Sequence, residues 1–146
     1  MDQPPISVRA VCGVLALNAQ GLLLLVRRAD DKTWALPGGG VEAGETWGEA
    51  AVRECREETG WEVEVTAIFG AYSDPATQTL TYASGRRVQL VGVVFLAEVR
   101  QQVGPHDDEV LEVDFFPIDS LPTPLFLPDR PVLQDWASGR TVPVIA

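Results

Sequence analysis

The chain has 146 residues, 46% of them apolar, and a formal charge of −10 from 21 acidic against 11 basic side chains. That length suits one domain with a real core, expected to occupy residues 1–146. The charge speaks against a nucleic-acid binder, which presents a basic footprint, but not against a small phosphate substrate whose charge a bound metal ion can offset.

No apolar run is long enough to cross a bilayer, and the opening MDQPPISVR lacks the basic-then-apolar layout of a signal peptide. A cytoplasmic protein is expected, with no membrane or nucleic-acid partner; pairing into a homodimer stays open. Residues 7–17, SVRAVCGVLAL, read as a strand, 18–21 as a turn, and 21–28, GLLLLVRR, as a second strand, together a hairpin. Arg27 and Arg28 then point to opposite faces. Cys12 in the strand and Cys55 further on are expected to be reduced core residues, since two cysteines without a secretory layout or zinc spacing suggest neither a disulfide nor a metal site.

A polar loop over 29–33 leads into Trp34-Ala35-Leu36-Pro37 and the triplet Gly38-Gly39-Gly40, which permits backbone to lie close to a ligand. Thr46-x-x-Glu49 fits a capping box, so a helix starts at Trp47, and Gly60 suits its left-handed end. At about 100° per residue, Gly48, Ala51, Val52, Cys55 and Thr59 form a small apolar stripe. Residues 62–72 read as a strand broken by Ser73-Asp74-Pro75. Residues 78–82 and 87–98 pair around a turn at 83–86, 113–118 form a final strand, and 128–138 a short helix with Leu133 and Trp136 facing the core. Tyr72 and Tyr82 suit strand packing or stacking on a base. Strands flanking one central helix give an α+β class.

Glu54, Glu57 and Glu58 crowd the flank beside the small stripe, at i,i+3 and i,i+4 spacing in the last turns of the helix. Like charges there oppose one another and the helix dipole. A hard divalent cation such as Mg²⁺ reverses that sign, because it prefers carboxylate and carbonyl oxygens. A solvated acidic face is the plain alternative, but the glycine loop, the capped helix and the carboxylate flank occur as one contiguous unit.

Gly39, Glu45, Arg53, Glu54, Glu57, Glu58 and Gly60 stand at the spacing G-x5-E-x7-R-E-U-x-E-E-x-G-U, with U a bulky apolar residue. Over residues 39–61 this resembles the Nudix box, the signature of the Nudix hydrolases. Every fixed position matches, while Cys55 and Trp61 replace the more usual aliphatic residues at U. The resemblance implies an α/β/α sandwich around a mixed sheet and a Mg²⁺-dependent pyrophosphatase, with Mn²⁺ as a substitute. It implies that Glu57 and Glu58 bind the metal, that Glu54 is a further ligand or the base that activates water, and that Arg53 and Glu45 orient them. The Gly38 carbonyl completes the metal shell in that pattern. One more acidic residue from the segment 104–112 joins it, Glu109 first and Glu112 second. Arg27, at the end of its strand, and Gly39 are the substrate-binding expectations. The Tyr-Ser-Asp-Pro turn and following hairpin resemble an ADP-ribose-pyrophosphatase-like subgroup. The implied substrate is a nucleoside diphosphate linked to another moiety, with a nucleoside triphosphate as the alternative and a non-catalytic nucleotide sensor as the third reading.

Overall fold

In the first strand, β1 (Ser7–Leu17), both alternating faces turn apolar from Cys12 onward, so it must be covered on two sides. The computed structural model, which describes residues 6–146, meets that demand, with Val14, Leu15 and Ala16 fully buried. Along one edge β1 runs parallel to β7 (Arg87–Gln102), from Ser7 opposite Val88 to Leu17 opposite Glu98. Along the other edge it pairs antiparallel with β4 (Gly38–Gly40), Val11 opposite Gly40 and Gly13 opposite Gly38. The glycine triplet expected as a loop is therefore a short strand. By occupying that edge, it limits the expected hairpin between β1 and β2 (Leu23–Arg28) to the single pair Leu17–Leu23. β2 instead runs antiparallel to β8 (Val110–Phe116).

With β3 (Trp34–Ala35), β5 (Trp61–Tyr72) and β9 (Val144–Ile145), the sheet order is β3-β2-β1-β7-β5-β9. β6 (Thr79–Thr81) is added against β7. The sheet is mixed, parallel at β1·β7 and β5·β9 and antiparallel elsewhere.

Alternation along the strands sends side chains to two separate cores. Cys12, Val14, Ala16 and Leu24 meet Ala50, Ala51 and Cys55 of the helix α1 (Trp47–Thr59) on one face. Leu15, Leu23 and Leu25 meet Val132 and Leu133 of the C-terminal helix on the other. Burying each leucine stabilises the fold by about 2 kcal/mol. The result is the α/β/α sandwich. Between β5 and β6 lies a single helical turn, α2 (Pro75–Gln78), and the C-terminal helix is α3 (Arg130–Ala137).

Cys12 and Cys55 are free and buried, as expected. Tyr72 is buried too, its hydroxyl donating to Asp135 Oδ2 at 2.8 Å, whereas Tyr82 is exposed at the hairpin. Several elements and boundaries differ from expectation. β7 runs on to Gln102 through the polar Arg100-Gln101-Gln102, which carries no alternation to read. β8 starts three residues early, at Val110. α2 replaces a plain break after Asp74, whose side chain accepts from Ala76 N. Two residues at Val144–Ile145 form a further strand after the one expected to be last, held to β5 rather than by any pattern of their own.

α1 has both of the ends foreseen. Thr46 Oγ1 accepts from Glu49 N at 3.1 Å and Glu49 Oε1 accepts from Thr46 N at 3.0 Å, completing the capping box. Gly60 closes the helix at φ 77°, and a Cβ there would collide with the Gly104 carbonyl oxygen. Gly60→Ala should therefore cost about 2 kcal/mol or more, summing left-handed strain and steric clash. Urea unfolding measures this; a loss below about 0.5 kcal/mol would show that the 60–104 contact is not a constraint.

Candidate active site

Arg53 is the hub of the site. Its Nε and Nη2 donate to Glu45 Oε2 and Oε1 at 2.6 and 2.9 Å, a two-pronged pairing. Nη2 also donates to the Gly40 carbonyl at 3.1 Å, and Nη1 reaches Glu54 at 2.9 Å and Glu57 at 3.3 Å. Arg53, Glu45 and Glu54 side chains are each only 17% exposed, so this is a shielded network rather than a solvated ion pair. The Arg53 hydrogen bonds, with the Glu42 N–H, hold the Glu45 carboxyl down to about 2. The same partners raise the Arg53 pKa further above its already high value.

Glu54 and Glu58 lean from α1 onto β4. Glu58 Oε1 accepts from Gly38 N at 2.7 Å. A Cβ on Gly39 would fall 2.6 Å from Glu54 Cδ, so the missing side chain is the room the carboxylate occupies. Burial pushes Glu58 up to about 8, against the Gly38 N–H, with Glu54, Asp107 and Glu109 adding repulsion. Burial also raises Glu54, opposed by Arg53 and reinforced by Glu57 and Glu109. Glu57 lies further out, its side chain 53% exposed.

A second carboxylate source is fastened to the end of α1. Val103 and Gly104 N–H groups donate to Gly60 O, and Asp107 N donates to Glu57 O at 3.1 Å. These bonds satisfy carbonyls that a helix end leaves unpaired. Ala29 N donates to Glu109 O at 2.9 Å, which carries the loop across to the end of β2. Glu109 thus lines one hollow with Glu58, Arg28 and Asp30. Glu112, the second expectation from this segment, is elsewhere, paired with Arg27 at 3.8 Å across the β2·β8 ladder.

Arg27 is likewise not brought to this hollow; its neighbour Arg28 is there instead. The ladder slips between Arg27 and Arg28, so that Arg27 faces Glu112 while Arg28 faces Val110. Arg28 donates to Asp30 and Asp31 and lies 3.9 Å over the Phe126 ring. Asp107 and Arg28 are the residues that sequence reasoning passed over. The carboxylate run 107–109 was a signal for the first, and no signal marks the bulge that selects the second. His106 is exposed.

Among the described residues, no three His, Cys, Asp or Glu side chains stand close enough to grip a metal ion as placed. Arg53 Nη1, bonded to both Glu54 and Glu57, draws these two towards itself. The donor set nonetheless fits a hard divalent cation. Its atoms are carboxylate oxygens, and Glu58 is half-buried among like charges with a single N–H to offset them.

Residues 7–136 match the family model described as NUDIX domain. This chain belongs to the Nudix family. It is 33% identical to an ADP-ribose pyrophosphatase of Methanocaldococcus jannaschii, over 89% of this chain and 75% of that protein. It is 48% identical to a putative 8-oxo-dGTP diphosphatase of Bacillus subtilis, over 44% of each. A MutT NUDIX hydrolase from Burkholderia pseudomallei superposes with a TM-score of 0.72 at 27% identity, covering 88% of this chain and 97% of that one. As a Nudix hydrolase the protein acts on pyrophosphate bonds and works with divalent metal ions. Among the described residues no helix is long and apolar enough to cross a membrane.

The network of this Nudix domain makes a prediction about acid stability. Glu45 is held below its unfolded value, so its contribution is present above about pH 4.5 and is lost as pH falls towards 2. The difference in melting temperature between the native protein and Glu45→Gln should be largest near neutrality and shrink through that window. A difference independent of pH would remove the Arg53–Glu45 pairing as its cause.

Proposed function

We propose that this Nudix hydrolase uses Mg²⁺ to cleave the pyrophosphate bond of a nucleoside diphosphate linked to another moiety, of the ADP-ribose or NDP-sugar type. The observation that carries the reading is the meeting of Glu54 and Glu58 on the Gly38–Gly39 strand, with Glu109 and Arg28 lining one hollow with Glu58. Mn²⁺ is an acceptable substitute, having the same preference for oxygen donors.

Glu57, Glu58, Glu54 and Glu109 would hold the cation, with the Gly38 carbonyl. A divalent cation there supplies positive charge against the diphosphate oxygens. The chain's own groups do the rest. Glu54, raised by burial, accepts the proton of the attacking water. The water oxygen bonds to one phosphorus, the bond from that phosphorus to the bridging oxygen breaks, and the second phosphate group leaves with the bridging oxygen. Arg53 holds Glu54 in place through Nη1 while Glu45 holds Arg53. Arg28, which lines the hollow, would meet substrate phosphate, the role expected of Arg27. Gly38 and Gly39 let the substrate approach the backbone.

Support for a linked nucleoside diphosphate comes from the ADP-ribose pyrophosphatase relative, whose similarity spans most of both chains. A nucleoside triphosphate remains the second reading, favoured by the 8-oxo-dGTP diphosphatase likeness over a shorter stretch. The sensor reading has little support, because every box carboxylate is retained.

Glu54→Gln should lower kcat by about 100-fold or more while leaving the melting temperature within a few degrees. Product analysis by mass spectrometry over ADP-ribose, NDP-sugars and nucleoside triphosphates, with Mg²⁺ or chelator, measures the first, and thermal unfolding the second. Retention of most activity in the variant would take the base role from Glu54. Full activity in chelator would remove the metal.

A further inference from the structure

The outer face of α1 carries two charges that the hydrolytic site does not use. Glu49 and Arg56 are both exposed and stand seven residues apart, on one side of the helix and about 10 Å from each other along its axis. Glu49 commits Oε1 to the Thr46 N–H, and its Oε2 has no donor among the described residues. Arg56 takes part only through its backbone oxygen, which accepts from Gly60 N at 2.8 Å. Its guanidinium has no partner among the described residues, although carboxylates crowd the same helix.

Between the two charges runs an open groove. Gly48 and Val52 of α1 form one wall and Val65 of β5 the other. A Cβ on Gly48 would meet nothing within 4 Å, so bare backbone is accessible there. The β5·β7 ladder slips between Val65 and Ala67 and again between Ile68 and Gly70. Those slips keep Val65, Ile68 and Ala71 together on the α1 face, opposite Ala97, Phe95 and Val93, and Ile68 is 54% exposed. β9 covers the outer edge of β5 at Gly70 and Ala71 only. Apolar side chains beside an open sheet edge mark an interaction surface.

We propose that this face pairs two copies of the chain, with their α1 helices antiparallel about a two-fold axis near Val52. In that arrangement Glu49 of each copy meets Arg56 of the partner subunit, and the two grooves close on each other between these ion pairs. The helix has one charge of each sign on either side of Val52, three residues before it and four after, so the face is its own complement. A parallel pairing sets like charges opposite each other instead. The formal charge of −10 does not oppose the pairing, because Glu54 and Glu58 lean the other way, onto β4. Arg53 and Glu45 also line the groove, so a second copy screens the outer side of their pairing from water.

Sedimentation equilibrium of the full chain at low salt tests this, with circular dichroism checking that each variant keeps its helix. At about 100 μM the native protein should show twice the mass of one chain. Arg56→Glu sets carboxylate against carboxylate and should weaken association about tenfold or more; Glu49→Lys sets cation against cation and should do the same. Mixed in equal amounts, these two variants should recover the doubled mass, because each then meets the opposite charge at both ends of the groove. Glu49→Gln keeps an oxygen for the Thr46 N–H, and so the capping box, and should weaken association by a smaller factor through loss of charge alone. A native protein that stays monomeric, a dimer that Arg56→Glu and Glu49→Gln leave intact, or charge-reversed variants that fail to associate on mixing overturns the pairing.

Discussion

One guanidinium organises this molecule's chemistry. Arg53 bonds the loop through Glu45, the helix through Glu54 and Glu57, and the glycine strand through the Gly40 carbonyl. Three separately folded segments therefore share one geometry, and none can shift without breaking a charge-assisted bond. An ammonium in place of the fork could not keep both oxygens of Glu45 and the carbonyl at once. The small stripe of α1 serves the same end. Ala50, Ala51 and Cys55 bring the helix close to the sheet, which is why Glu54 and Glu58 reach β4 at all.

Closeness has an electrostatic consequence. Glu58 is carried into a half-buried position among Glu54, Asp107 and Glu109 with one backbone N–H to receive it. Concentrating carboxylates in this way opposes folding unless positive charge is nearby. Arg53 supplies that charge for the outer carboxylates, while Glu58 lies on the far side of the cluster from it. The arrangement is costly to the empty fold and favourable for a cation-bearing ligand, a division common where a site is built for binding rather than for stability.

Much of this was legible in the sequence, and the reason lies in local chemistry. The capping box at Thr46 and Glu49, the left-handed stop at Gly60 and the glutamate spacing between them are all encoded within one turn or two. The same holds for the two-sided burial of β1, since its unbroken apolar run states it directly. What stayed hidden depends on partners far away in the chain. β4 is a strand only because β1 offers it an edge, and the slip between Arg27 and Arg28 exists only in the ladder with β8. Asp129 is a similar case: it precedes a helix as a capping residue would, yet turns to Leu36, 93 positions away in sequence.

The acidic loop's attachment to α1 bears on how the site comes apart. Its anchors are backbone bonds to Glu57 O and Gly60 O, at the helix's last turn, where fraying begins in an isolated helix. Helix end and loop must then open as one unit, and amide exchange at Gly60, Val103 and Asp107 would share a single opening free energy. The two sources of carboxylate are thus thermodynamically one element: the protein holds a complete cluster or loses both halves of it together.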